Sequence, residues 1–316
     1  MELAGDHLHF VNFDAIVDME LRDACAGLTW RSYRSILDAS KTENRLALVA
    51  FSGEIPVALW LSVQMPFEGQ QRSHTLLSLV VAAAWRRRGV ATRLMQMAEV
   101  ELAARGVSVV TTSYSSILPG AGAMSGLLLN HAWMEPRADR IRICGRVGDT
   151  VTTSKAWDLL LRRLQSRGIR YLSWEDTNFD LIEQAAVMVD AGQAPEWSDP
   201  RPWSASLCRQ LSLAILDGKG DLAGWVVCEP QPALDRWYFP IGWVIPTEQD
   251  RGTLVGAYLE GSRRIQAKSG PSALAVLEAS PRQGRAWSLF EKHFSSSALW
   301  SDRLLISQKT VPVDVR

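Results

Sequence analysis

The chain has 316 residues, about twice the size of a typical domain, so two domains are expected. Lys and Arg together number 34, as do Asp and Glu, and this zero net charge disfavours nucleic acid or a membrane surface as partner. The four cysteines lie far apart without a CxxC pair, so neither a disulfide framework nor a metal site is expected. The N-terminal residues lack an apolar leader, and no apolar run approaches the ~20 residues of a membrane span. These features favour a cytoplasmic location.

The first half of the chain predicts a mixed α+β domain. Apolar spacing indicates a helix over 14–25, and a turn at Gly53 joins two β-rich runs into a hairpin. The almost continuously apolar run 74–82 predicts a strand covered on both faces. Further elements are predicted in this order: hairpin strands 45–52 and 55–64, helix 90–105, strand 107–112, helix 122–131 and strand 138–144.

The second half repeats this order of elements. Its predicted elements are helix 157–165, strand 171–174, helix 180–191, strands 222–228 and 237–244, helix 253–267, strand 273–278, helix 284–293 and strand 304–308. A repeated order of elements indicates two copies of one fold. The predicted domains are therefore 1–148 and 149–316.

The segment from Leu77 to Met95 carries the clearest chemical signal. A buried strand runs into a basic turn, and the turn leads through Gly89 into a long helix. The first turn of a helix has unpaired N–H groups and the positive end of the helix dipole, so it attracts an anion. Gly89 allows positive φ and a close approach of the backbone to a ligand. A pyrophosphate group is the expected occupant.

These residues resemble the pyrophosphate loop of the GNAT acetyltransferase superfamily, V-x-P-x-x-(Q/R)-x-x-G-x-(G/A). Arg86, Gly89 and Ala91 match the pattern that begins at Val81, while Ala83 replaces the usual proline. The resemblance implies two GNAT-type domains, each with a splayed, mostly antiparallel mixed sheet flanked by helices, and acetyl-CoA as co-substrate. The implied acetyl-CoA-binding residues are Leu79, Val80, Val81, Ala82, Arg86, Arg87, Arg88, Gly89, Val90, Ala91 and Thr92.

A degenerate copy of the same loop lies 163 residues later, from Val244 to Leu254. It keeps the first glycine as Gly252, but Leu254 replaces the last small residue and is expected to crowd the phosphate position. Glu248 and Asp250 place negative charge beside the would-be anion site, so a phosphate would be repelled. The second domain is expected to be degenerate, with an acceptor-site or structural role.

Trp197 and Trp203 lie in a proline-rich loop of the second domain that could form one wall of an acceptor pocket. The alternative for these rings is ordinary core packing, which is the more common role of tryptophan.

The resemblance implies direct attack of an amine on the acyl thioester. A backbone N–H near Val81 or Ala82 would polarise the acetyl carbonyl, a base would deprotonate the amine and an acid would protonate the CoA sulfur. Many relatives place a tyrosine acid where this chain has Leu128, and the second domain has Phe290 there. Tyr114 and Ser125 are the substitute candidates for the acid.

The general base stays open at the level of sequence. Period-two alternation would place His74 and Ser78 on one face of their strand, with His74 exposed at its beginning. Glu54 and Glu68 are loop alternatives that the sequence does not rank.

The predicted function is transfer of acetyl from acetyl-CoA to a small-molecule amine, by a monomer or homodimer without nucleic-acid or membrane partners. The alternatives are a non-catalytic acyl-CoA-binding or regulatory protein, a GNAT-like acyl-thioester decarboxylase and an aminoacyl transferase. The missing tyrosine motivates the first alternative. The neutral charge and the intact loop from Arg86 to Ala91 disfavour the last.

Overall fold

The computed structural model describes residues 8–38, 44–65, 72–152, 155–291 and 298–312. The chain divides into two compact units, and each consists mainly of one half of the sequence. The first unit comprises residues 1–139 and 304–316, and the second comprises residues 140–303.

The first unit follows the predicted order of elements and adds β1 and α2, which sequence periodicity did not indicate. The predicted helix over 14–25 is a short 3-10 turn followed by α1, whose N-cap Asp18 accepts from the N–H groups of Glu20 and Leu21. The elements of the first unit are β1 (Leu8–Asn12), α1 (Met19–Ala26), α2 (Arg31–Asp38), β2 (Arg45–Ser52), β3 (Ile55–Gln64), β4 (Arg72–Val81), α3 (Val90–Ala104), β5 (Val107–Ser115) and α4 (Ala121–Asn130).

The second unit has these elements: β6 (Arg137–Arg146), α5 (Val147–Thr152), α6 (Lys155–Ser166), β7 (Arg170–Ser173), α7 (Leu181–Asp190), β8 (Leu213–Leu216), β9 (Leu222–Gln231), β10 (Arg236–Val244), α8 (Thr253–Ser269), β11 (Leu274–Ala279) and α9 (Gly284–Leu289). The final strand, β12 (Trp300–Thr310), reaches the first unit from residue 304 onward. The four-residue strand β8 was not predicted from the sequence.

The strands of each unit pair in the same pattern. In the first, neighbouring strands from β1 to β4 pair antiparallel, β4 pairs parallel with β5, and β5 pairs antiparallel with β12. In the second, neighbouring strands from β7 to β10 pair antiparallel, β10 pairs parallel with β11, and β11 pairs antiparallel with β6. The predicted fold class, a mixed and mostly antiparallel sheet with helices in each half, is confirmed.

The unit boundaries differ from the predicted domains 1–148 and 149–316. Residues 141–146 of β6 pair with β11 and so belong to the second unit, whereas residues 304–310 of β12 pair with β5 in the first. Each sheet is thus completed by a strand that the sequence order assigns to the other half. Local hydrophobic patterns indicate a strand but carry no information about its partner.

Each face of the first sheet is covered by helices. On one face α3 and α4 pack through residues such as Leu94, Ala98 and Leu128 against Trp60 and other strand side chains. On the other face α1 and α2 cover a separate cluster around Phe13, Phe51 and Leu61.

The tryptophans of the second unit mainly fill its core. Trp225 and Trp243 are buried with ring centroids 4.6 Å apart, and Trp225 Nε1 donates to Ser198 O. Trp197 and Trp203 are half-buried and pack against the same cluster, which agrees with core packing as their role.

Candidate functional site

A fork between β4 and β5 is the central feature of the first unit. The two strands pair in parallel up to Leu76 and Thr112, and Thr112 Oγ1 donates to Leu76 O at 3.1 Å. Beyond this point β4 stays paired with β3 as far as Val81, and β5 stays paired with β12 as far as Ser115. The carboxyl ends of the two strands therefore follow different neighbours and are no longer paired with each other.

Two backbone N–H groups of β4 point away from β3, toward the fork. Ala82 N–H donates to Val57 O at 2.8 Å, so Ala82 faces β3 and is excluded as the predicted carbonyl-polarising donor. Hydrogen-bonded and non-hydrogen-bonded pairs alternate along an antiparallel ladder, so the backbone N–H group of Val80 also points toward β3. Leu79 and Val81 then direct their N–H groups away from β3, toward the fork. Of the two predicted donors, only Val81 has the required direction.

A bulge in β4 overturns one prediction. Leu61 pairs with Ser78 and Ser62 pairs with Leu76, so Leu77 is an extra residue that interrupts period-two alternation. His74 and Ser78 consequently lie on opposite faces of the sheet, whereas the sequence placed them on one.

His74 is 1% exposed, contrary to the expectation of an exposed ring. Its Nδ1 lies 3.3 Å from Ser62 Oγ, which also accepts from Trp60 Nε1 at 3.1 Å. Burial, reinforced by the positive charge of Arg105, lowers the pKa of His74 to about 4. A buried imidazole with this pKa is neutral at pH 7 and a weak proton acceptor, which argues against His74 as the base.

The other base candidates are not ranked by the structure. Glu54 is exposed in the turn between β2 and β3, and Glu68 lies outside the described residues. The Ser78 hydroxyl is buried on the α1 and α2 face and has no hydrogen-bond partner among the described residues.

The basic turn after β4 has the geometry of an anion site. Gly89 is the N-cap of α3 with φ of 78° and ψ of 1°, a left-handed conformation that favours glycine. Arg93 N–H donates to Gly89 O at 3.0 Å as the helix begins, and the N–H groups of a helix start ahead of that bond need partners from outside the helix. Among the described residues, nothing beyond the chain neighbours of Gly89 lies within 4 Å of a Cβ atom built on it. The space in front of the turn is therefore open.

The arginines of the turn are exposed and held in distinct ways. Arg86 Nε donates to Val81 O at 3.1 Å, and the Arg88 guanidinium lies 5.0 Å from the centre of the Trp85 ring. Arg87 itself has a φ of 61°, unusual for a residue with a side chain. Behind them Val90 is buried in the core, and Ala91 and Thr92 are half-buried in the first helical turn.

Tyr114 and Ser125, the predicted acid candidates, are hydrogen-bonded to one another. Tyr114 lies in β5 two residues beyond the fork, and its hydroxyl is 2.7 Å from Ser125 Oγ on α4. Ser125 Oγ donates to Ala121 O at 3.0 Å, so the Tyr114 hydroxyl is the donor within this pair. Leu128, at the position of the absent tyrosine, is fully buried in the core.

The equivalent turn of the second unit has the same backbone but a different environment. Gly252 caps α8 with φ of 79° and ψ of 6°. Leu254 does not crowd the turn as predicted, because its side chain packs into the core toward Gly242. The carboxylate of Glu248 lies at this helix start instead, with Thr253 and Arg167 as donors.

Sequence reasoning treated Glu248 only as a repulsive charge and missed its partners. Arg167 lies 81 residues away in sequence, and no local pattern links it to the loop.

No group of His, Cys, Asp or Glu in the described part of the chain could hold a metal ion. Among the helices of that part, none is long and apolar enough to cross a membrane.

Comparison with known proteins agrees with this architecture. Residues 13–116 match the model of the acetyltransferase (GNAT) family, a segment that includes the fork and the turn at Gly89. This match identifies a segment of the first unit that is similar to the acetyltransferases of the GNAT family. No curated protein matches the sequence.

Solved GNAT structures resemble the whole chain in fold. A tandem GNAT protein from the clavulanic acid biosynthesis pathway superposes with a TM-score of 0.54 at 14% identity, over 97% of this chain and 99% of that one. A GCN5-related N-acetyltransferase from Sphaerobacter thermophilus gives a TM-score of 0.56 at 14% identity, over 98% and 97% of the two chains.

A third similar structure is a GCN5-related glucosamine N-acetyltransferase region of a fungal multi-domain β-N-acetylglucosaminidase. Its TM-score is 0.63 at 12% identity, and the match covers 96% of this chain but only 38% of that one. At these identities the likeness shows the fold alone. It supports a GNAT-like fold in each of the two units.

Proposed function

We propose that this protein transfers the acetyl group of acetyl-CoA to an amine of a small molecule, and that only the first unit binds acetyl-CoA. The open turn at Gly89 is the observation that carries the proposal. The backbone N–H groups at the start of α3 can donate to a diphosphate, and the left-handed glycine lets it approach the backbone. The exposed arginines supply the positive charge that it needs. In the second unit the matching turn is occupied by the chain's own side chains.

The fork beyond Leu76 and Thr112 suits the acyl thioester. With the diphosphate on the turn, the pantetheine arm would run between the separated ends of β4 and β5. The Val81 N–H would donate to the acetyl oxygen as negative charge develops on it, while the amine attacks the acetyl carbon. Tyr114, hydrogen-bonded to Ser125, would supply the proton to the departing CoA thiolate.

Binding of acetyl-CoA to Gly89→Val tests the assignment. A branched side chain at a φ of 78° strains the turn and fills the space in front of it, so we expect affinity to fall at least about 100-fold. Gly106→Val is the matched control, because Gly106 follows the same helix, has a φ of 71° and also faces open space. Isothermal titration calorimetry should give one site per wild-type chain and per Gly106→Val chain. Unchanged affinity in Gly89→Val would refute the assignment, and two sites would refute the limit to the first unit.

The burial of an inert Leu128 at the tyrosine position favours a second candidate, a non-catalytic acyl-CoA-binding protein. Turnover separates the two functions. Acetyl-CoA incubated with a panel of primary amines should yield acetylated product and free thiol, measured together by mass spectrometry and thiol titration. Tight binding without turnover of any amine in the panel would favour the second candidate.

A further inference from the structure

Two cysteines that are 20 residues apart in the sequence are neighbours in the second unit. Cys208 lies in the segment before β8, and Cys228 lies in β9. The backbone N–H of Cys208 donates to Cys228 O at 2.8 Å. With standard bond lengths this contact limits the distance between the two Cα atoms to at most about 6.7 Å. Disulfides usually join Cα atoms about 4.4–6.8 Å apart, so a disulfide can span this separation.

Both thiols lie in one apolar region. The Cys228 side chain is fully buried in the cluster around Phe239, and Cys208 packs against the same cluster. Burial raises the pKa of the Cys228 thiol well above its ordinary value. Cys208 and Glu229 add to the increase, while the positive charge of Lys268 opposes it. Cys208 is therefore close enough to affect the ionisation of Cys228.

A buried serine fixes the backbone of both cysteines. Ser212 N–H donates to Cys208 O at 2.8 Å, and Ser212 Oγ accepts from Cys228 N–H at 2.9 Å. Ser212 is fully buried, and both cysteines are free thiols. The fold thus brings the two residues together without a covalent bond between them.

The two thiols differ in their access to solvent. Cys208 is half-buried, whereas Cys228 is fully enclosed. The chain's other two cysteines, Cys25 and Cys144, are fully buried as well. A dissolved oxidant can therefore reach Cys208 first, and Cys228 lies beside it as the second thiol.

We propose that Cys208 and Cys228 are a site of reversible disulfide formation, with a low-molecular-weight disulfide such as oxidised glutathione as the oxidant. Cys208 loses its proton and attacks one sulfur of the oxidant, and the other half leaves and takes up that proton as a thiol. Cys228 then loses its proton and attacks the sulfur of Cys208, which releases the second half as a thiol. Two protein thiols are oxidised, and one small disulfide is reduced to two thiols. This site does not depend on the proposed function.

Incubation of the folded, reduced chain with oxidised glutathione tests the proposal. Mass spectrometry of the intact chain should show the loss of two hydrogen atoms. Peptide mapping without reduction should join the peptides that contain Cys208 and Cys228. Free thiols should fall from four to two per chain, and dithiothreitol should restore all four.

Single substitutions distinguish a pair from an ordinary exposed thiol. In Cys228→Ala the mixed disulfide at Cys208 has no second thiol beside it, so the chain should retain one glutathionyl group. Cys208→Ala should acquire neither a cross-link nor an adduct, because its remaining thiols are buried. Cys25→Ala is the matched control, because Cys25 is as buried as Cys228 but lies in the first unit. It should form the cross-link as wild type does.

Three results with the wild-type chain would overturn the proposal. The first is a stable glutathionyl adduct on Cys208 without a cross-link, and the second is the retention of four free thiols. The third is a cross-link that forms only in urea or joins other cysteines. Circular dichroism establishes that the reduced and oxidised chains are folded, and mapping of the wild-type chain decides the question even if Cys228→Ala does not fold.

Discussion

Tyr114 is the side chain on which the proposed acid step depends. Ser125 Oγ already donates to Ala121 O, so the Tyr114 hydroxyl donates to Ser125 at rest and would turn that proton to the CoA sulfur in the acid step. Ser125 is in this arrangement a positioning residue that holds the phenol near the fork. Sequence position alone suggested both residues but did not show that they touch.

Tyr114→Phe should lower kcat by about 100-fold, the usual scale of a lost general acid, while KM for acetyl-CoA stays near wild type. Ser125→Ala should have a smaller effect, because the phenol remains. Steady-state thiol release across a pH series, with acetyl-CoA and primary amines, measures both. Tyr33→Phe is the control, since Tyr33 lies on α2 against the other cluster of the unit. Wild-type kcat in both Tyr114→Phe and Ser125→Ala would leave solvent as the acid.

At the scale of elements, the end of α4 shows how a family pattern and a local strain coincide. Trp133 N–H donates to Leu128 O at 3.0 Å and Ala132 N–H donates to Leu129 O at 3.1 Å, the two bonds of a Schellman motif. Ala132 has a φ of 56°, a left-handed conformation that costs an alanine about 1 kcal/mol relative to glycine. In the GNAT stretch F-Y-x-x-x-G-F, whose tyrosine corresponds to Leu128, glycine stands at this position.

Ala132→Gly should therefore raise the free energy of unfolding by about 1 kcal/mol, less what the more flexible unfolded chain takes back. Ala123→Gly, inside the same helix and exposed, should instead lower it by about 1 kcal/mol. Urea unfolding of both variants and wild type gives the comparison. A loss of stability in Ala132→Gly similar to that in Ala123→Gly would contradict the strain at this cap.

At the scale of the whole molecule, the first unit is completed by a strand distant in sequence. Residues 304–310 pair with β5, and Lys309 Nζ lies 2.7 Å from both Glu99 Oε1 and His131 O. Val311 is buried in the core cluster of the first unit. The last strand is thus part of the unit that contains the turn at Gly89.

Deletion of residues 304–316 should consequently damage the first unit more than the second. It exposes the backbone edge of β5 and removes a buried side chain, so amide exchange over 109–115 should become faster and acetyl-CoA binding should be lost. Amides of β9 and β10 are the internal control, because their pairing lies wholly in the second unit. Greater loss of protection in β9 and β10 than in β5 would contradict this assignment of the strand.

The sequence alone determined the order of most helices and strands, the duplication and the place of the loop at Gly89. These features depend on local hydrophobic period, on turn residues and on a short motif. Each of these is a pattern among residues that are close together in the sequence. The elements missed at this level, such as β1, α2 and β8, are short, with 5, 8 and 4 residues.

Only the tertiary structure decided which residues meet. The exchange of β6 and β12 depends on long-range pairing, and the bulge at Leu77 depends on register against β3. The burial of His74 and the pairing of Glu248 with Arg167 depend on side chains brought together from distant segments. A sequence pattern records which residues prefer an interior or an anion site, and the packing of the folded chain decides what fills it.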